Sequence, residues 1–175
     1  SSGFDLDTGQ YPEIIGGESR RSFVDGYKGK ELWSDGTLVF VGTADADFLG
    51  WGDRSPDAPI IVNQVALVES VFLFAQLFVE VWKQLGAAQV QVEFAIHLAR
   101  MCPTGKPPVM RPGPLADRAY MFGVKTAPAC EFHQRELVTS PLDPSAIAFA
   151  LIARLYEWFG FEHDRIPYAT NGRIE

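Results

Sequence analysis

The sequence predicts an α+β fold: a two-layer sandwich in which two main apolar helices pack on one face of an antiparallel sheet. Three observations predict it. Residues 64–85, QVALVESVFLFAQLFVEVWKQL, read as one helix whose apolar positions cover far more than the roughly 100° stripe of a helix with a single dry face. Residues 89–98 alternate strictly, with Val90, Val92, Phe94, Ile96 and Leu98 pointing one way and Gln89, Gln91, Glu93, Ala95 and His97 the other. Residues 31–42, ELWSDGTLVFVG, place an Asp-Gly turn signal between two strand-like runs.

Taken in chain order, residues 1–17 hold Gly3, Gly9, Pro12, Gly16 and Gly17 among acidic residues, which suits a flexible N-terminal arm. A single domain is expected over residues 18–165. It opens on the hairpin at 31–42, and residues 43–59 follow as a Gly- and Pro-broken acidic loop. The long helix begins near Asn63, and Gly86 is placed to cap its C-terminus in the left-handed conformation. A helix this apolar must be buried, as a central core element or an interface. Residues 101–128 contain six prolines, so no long helix fits there; 115–123, LADRAYMFG, has room for a turn or short strand. A second strand is expected over Ala129–Val138. Asp143 and Pro144 then supply a capping residue and a proline at the first helical position, opening a helix that runs to Gly160. Residues 166–175 read as an irregular tail.

A chain of 175 residues suits one domain, and 47% hydrophobic with 21% charged residues are ordinary globular values. The net charge of −7 argues against a general nucleic-acid footprint, which needs a clustered basic surface. A local cluster of Arg20, Arg21, Lys28 and Lys30 is the one feature that favours such binding. The long helix has the length of a membrane span, but Asn63, Gln64, Glu69, Ser70, Gln76, Glu80 and Lys83 interrupt it, so a membrane location is not expected. Cys102 and Cys130 show no metal-ligand spacing and read as a pair of cytosolic thiols, with Cys130 buried in the second strand. The N-terminus has no secretory signal character, and the start without Met suggests a domain cut from a longer protein.

The residues able to carry chemistry fall into four groups. If the strands at 89–98 and 129–138 are neighbours, their polar faces offer Glu93 and His97 from the first and Glu131, His133 and Arg135 from the second. Two His and two carboxylates on one sheet face have the donor types for a divalent metal or for acid–base work, although any solvated strand pair also exposes such residues. Glu69, amid apolar helix neighbours, reads as a buried carboxylate, either a pocket acid or the partner of Arg100 or Arg154. His163 stands just beyond the last helix, near its negative end, where a cationic ring is favoured. Trp33, Trp51, Phe48 and Tyr27 sit in or beside the hairpin and have the character of either core anchors or a ligand groove. Trp33, Trp51, Glu69 and Arg135 are the candidate ligand-binding residues. No phosphate loop is present, since Pro107 follows Lys106 in PTGKPP. A nucleophile elbow, a zinc-protease motif and a dinucleotide fingerprint are likewise absent from the sequence, and no metal site or cofactor is assigned.

The hairpin pattern Trp33-x-Asp35-Gly36 and the helix start Asn63-x-x-x-Leu67-x-Glu69, together with the strand VQVEFAIHLARM, resemble a region of bacterial proteins that carry a divergent AlbA-type, Schlafen-related domain. The resemblance covers roughly residues 20–100 and belongs to the C-terminal accessory region of those proteins. It implies an accessory or sensing module and carries over no catalytic residue, because the AlbA-type domain itself lies outside the matched region.

The resulting expectation is a non-catalytic accessory domain, acting in ligand sensing or self-association within a larger intracellular, cytoplasmic bacterial protein. Its expected partners are a second copy of itself or a small molecule. The alternative is a metal-dependent or acid–base hydrolase using Glu93, His97, Glu131 and His133.

Overall fold

The computed structural model describes residues 20–25, 28–33, 35–44, 57–84, 86, 91–111 and 123–175, of which 20–25, 28 and 111 are described by backbone alone. The expected N-terminal arm and Trp51, Phe48 and Tyr27 lie outside the described residues. The element order is β1 (Arg20–Asp25), β2 (Lys28–Trp33), β3 (Leu38–Gly42), β4 (Ile61–Asn63), α1 (Gln64–Gln84), β5 (Gln91–Leu98), β6 (Val109–Arg111), β7 (Lys125–Thr126), β8 (Phe132–Thr139), α2 (Pro144–Trp158), β9 (Ala169–Thr170) and β10 (Arg173–Ile174). The fold is α+β. The described strands form four small sheets in place of the one antiparallel sheet expected: β1-β2-β3, β4-β6-β7, β5-β8 and β9-β10, with β4 and β6 parallel.

The predicted hairpin is β2–β3. Asp35 accepts the Thr37 amide at 2.8 Å through Oδ1, which holds the Asp35 carboxyl below its usual range, and Gly36 takes φ +89°. A Cβ at Gly36 would also stand 3.3 Å from the Trp82 ring, so both the backbone angle and the neighbour call for glycine. Asn63 caps α1 by accepting the amides of Val65 at 2.9 Å and Ala66 at 3.3 Å. Gly86, at φ +70°, ends the helical run by donating to the Lys83 carbonyl. Asp143 caps α2 by accepting the Ser145 amide at 3.1 Å, ahead of Pro144 at the first helical position.

α2 packs on β5–β8 and α1 packs against α2, with Phe78 of α1 reaching Phe94 of β5. Ala75, Phe78 and Val79 of α1 meet Phe94 of β5 and Ile147 and Leu151 of α2, with Val92, Ile96 and Val138 around them. A second cluster joins Leu67 and Val68 to Val62, Met110, Ile152, Leu155, Tyr156 and Phe159. The alternation read from the sequence decides this geometry: β5 follows an exposed–buried period of two, and β8 does the same with Phe132, Gln134, Glu136 and Val138 turned inward. Gln134 and Glu136 tolerate that position because the Gln134 amide donates to the Glu136 carboxylate at 2.9 Å.

Several expectations are corrected. Cys102 and Cys130 are not thiols but a disulfide, and Cys130 is exposed just ahead of β8 rather than buried within it. Their backbones already meet, because Met101 donates to the Cys130 carbonyl and so extends the β5–β8 ladder to the point where the side chains can join. The stretch 101–128 contributes β6 and β7, which complete a sheet with β4. The tail after Arg165 is not irregular: a 3-10 turn, His163–Arg165, leads into the β9–β10 hairpin, whose Ile174 is buried in the core beside Ile166. The long helix is only partly covered, with 28% of its most apolar window buried and Leu73, Leu77 and Val81 only partly buried.

Candidate functional site

Pairing of β5 with β8 sets His97 directly opposite His133, Ala95 opposite Arg135 and Glu93 opposite Leu137. Directly opposed residues share a face, so Glu93, His97, His133 and Arg135 gather on the outer side of the sheet. The Arg135 guanidinium links them. It donates through Nη1 to Glu93 Oε1 at 3.2 Å and through Nε to His133 Nε2 at 3.2 Å, and the rings of His97 and His133 lie with centroids 5.4 Å apart. Four of the five residues expected on this face therefore meet as one chain of contacts. Glu131 sits exposed before the first residue of β8 and makes no hydrogen bond or ion pair with the described residues. Among the described residues no group of three or more His, Cys, Asp and Glu side chains is arranged to hold a metal ion.

Glu69 is exposed on α1, not buried, and neither Arg100 nor Arg154 is its partner. It accepts the Tyr168 hydroxyl at 3.2 Å, tying the C-terminal segment back to α1. Desolvation, and then the Glu69 charge and hydrogen bond, raise the Tyr168 phenol above its usual pKa. Arg154 instead pairs with Glu157 at 2.9 Å, a contact that raises its own pKa. Glu157 also meets His163 Nε2 at 2.8 Å, and the His163 ring stands edge-on to Phe149. The Arg154 hydrogen bond, joined by that of His163, holds the Glu157 carboxyl below its ordinary value.

The described cleft lies elsewhere. An open groove of about 130 Å³ has α1 as its floor, with Leu67, Ser70, Val71 and Phe74 spaced three and four apart on one helical stripe. Phe40 and Gly42 of β3 form one wall and Ala95 to Leu98 of β5 the other, with Leu151 of α2 beneath. Among the described strands β3 pairs only with β2 and β5 only with β8, so each wall is the outer strand of its sheet. Of the ligand-binding candidates, Trp33 lies half-buried at the end of β2, Glu69 on the exposed side of α1 and Arg135 on the outer sheet face; none of the three lines the groove. His97 belongs to both places, as it lines the groove and pairs with His133. The groove residues were missed because the helix is apolar nearly all round, which conceals which stripe stays uncovered. Ser70, a small polar residue within that stripe, was the available signal. The four cations considered for nucleic acid fall on the adjacent strands β1 and β2.

Comparison with protein-family models, with curated proteins and with solved structures finds no match to this chain.

Proposed function

We propose that this chain is a non-catalytic accessory domain that senses a small, mostly apolar ligand in the groove between β3, α1 and β5. The observation that carries the reading is the lining itself: Leu67, Val71, Phe74, Phe40, Ile96 and Leu98 present an apolar surface, with Ser70 and the outer strand β5 supplying the few polar groups that orient a ligand. The sequence resemblance to an accessory region supports the same role in a longer protein. The Glu93–Arg135–His133 chain supports this reading over hydrolysis, because its exposed carboxylate is tied to a guanidinium in an ion pair. As for compartment, the Cys102–Cys130 disulfide supports an oxidising environment over the cytoplasm, where thiols are kept reduced.

Binding of 1-anilinonaphthalene-8-sulfonate to the native chain tests the groove. The dye is expected to brighten on the wild-type protein, and Val71→Trp, which fills the groove, is expected to reduce its affinity at least tenfold while leaving the circular dichroism intact. Equal binding to the folded variant would overturn the reading.

Self-association is the second reading, favoured by the incompletely buried apolar stripe Leu73, Leu77 and Val81 on α1. Light scattering after size exclusion separates the two: a dimer broken by Leu77→Glu would support association, and a strict monomer would remove it.

A further inference from the structure

We propose that the groove between β3, α1 and β5 takes an aryl monocarboxylate, with its ring on the apolar floor and its carboxylate at the β2–β3 wall beside Lys30. This inference rests on the groove reading and names the chemistry of its ligand. Size sets the apolar part. The groove holds about 130 Å³, close to the roughly 150 Å³ cavity that admits one benzene ring. Phe40 on one wall and Phe74 on the floor offer aromatic surface to such a ring, with Leu67, Val71 and Ile96 around it.

Charge decides the polar end. The antiparallel pairing of β2 with β3 sets Lys30 directly opposite Phe40, and opposed residues share a face, so Lys30 stands on the side of the hairpin that Phe40 turns to the groove. Its partly buried side chain flanks the lining without belonging to it. Opposed residues have Cβ atoms roughly 4.5–5.5 Å apart, which leaves an ammonium on a flexible four-carbon stem within reach of a group lying over Phe40. Carboxylates are kept away. In a chain with 22 Asp and Glu against 15 Lys and Arg, neither acidic residue type lines the groove. Glu31, next to Lys30, alternates to the other face of β2. Glu69, next to Ser70, is held by the Tyr168 hydroxyl on the exposed side of α1, and Glu93 is ion-paired to Arg135 on the outer sheet face. The polar side chains that do line the groove are Ser70 and His97, each able to donate a hydrogen bond. A ligand whose polar end accepts hydrogen bonds and carries negative charge matches all three residues, whereas an amine would meet Lys30 with a charge of the same sign.

The test titrates the intact disulfide-bonded chain with 4-phenylbutyrate and, separately, with 4-phenylbutan-1-ol, which has the same ring and chain without the charge. Binding is followed by the methyl resonances of Leu67, Val71 and Ile96 in NMR spectra. Both ligands are expected to shift these resonances, the acid binding at least fivefold more tightly. Added salt should erode that advantage by screening the ion pair, while leaving the alcohol's affinity unchanged. Lys30→Gln is expected to remove the advantage, and Lys125→Gln, at an exposed lysine on β7 outside the groove, to keep it. Circular dichroism on each variant separates a lost contact from a lost fold, and the salt series on the wild-type chain needs no variant. Equal affinity of the wild-type chain for acid and alcohol, or an advantage that survives both high salt and the folded Lys30→Gln variant, would overturn the proposal and leave the groove reading standing. Binding of neither ligand would overturn both.

Discussion

Tyr156 is fully buried on α2, packed beside Phe161, and its hydroxyl has no hydrogen-bond partner among the described residues. Burial alone pushes its phenol far above the ordinary range, which expresses the same fact: the ring is favourable there and the oxygen is not. An unmet buried hydroxyl carries a desolvation penalty of about 1–3 kcal/mol, so removing it without changing the ring should relieve part of that cost. Tyr156→Phe is expected to raise the urea midpoint, with a gain on the order of 1 kcal/mol; a clear loss of stability would mean that the hydroxyl has a partner that matters. Glu69 makes the converse point. Its apolar sequence neighbours imply burial, yet it sits on the exposed side of α1, because a residue's surroundings on a helix are those three and four positions away and those across the interface. Sequence adjacency to Val68 and Ser70 says little about either.

Among the elements, α2 is specified most fully by local chemistry. Its N-cap, its N1 proline and its C-terminal Gly160 at φ +78° all agree, and Arg173 of β10 adds an ion pair to the capping Asp143 at 2.6 Å. At the other end Glu157 connects the helix to the following 3-10 turn through His163 while also holding Arg154. The sign of its pH dependence follows from its lowered pKa. The folded value lies below the unfolded one, so the stability Glu157 contributes is fully present above the unfolded value, near 4.3, and is lost as pH falls through the folded value. Glu157→Gln is therefore expected to narrow the stability difference between variant and wild type on acidification from about pH 5 to pH 3. Urea midpoints measured across that window check it, and a constant offset would show that the carboxylate's charge plays no part. The pair is exposed, so the effect should shrink with added salt.

For the whole molecule, the disulfide has the widest reach, since it closes a loop spanning 28 positions that contains β6 and β7. In the chain-entropy treatment, a cross-link of that span removes unfolded-state freedom corresponding to about 3–4 kcal/mol. Cys102→Ser/Cys130→Ser should lower stability by that order, and reduction of the wild-type chain should reproduce the loss; an unchanged unfolding midpoint would mean the cross-link is absent in solution. The core clusters do not depend on it directly, as β5 and β8 remain paired along eight positions. The expected phenotype is a less stable chain with its β5–β8 register intact.

The sequence by itself determined what is local and periodic: the β2–β3 hairpin from its Asp-Gly turn, the start of α1 at Asn63, the cap of α2 at Asp143, and the in–out alternation of β5 that puts Glu93 and His97 on one face. These follow from short-range sterics and hydrogen bonds that a few neighbouring residues decide. Its α+β class is likewise observed. Tertiary structure alone decided which strands pair and where the chain returns. The directly opposed His97 and His133 depend on a register across 36 positions, and the partnership of Glu69 with Tyr168 on a return from the far end of the chain. The Cys102–Cys130 bridge needed both strand ends to be brought together, and the β9–β10 hairpin needed Ile174 to find the α2 core. The groove has the same origin. On a helix apolar nearly all round, no local pattern marks the stripe left uncovered, because that depends on where β3 and β5 stand beside it.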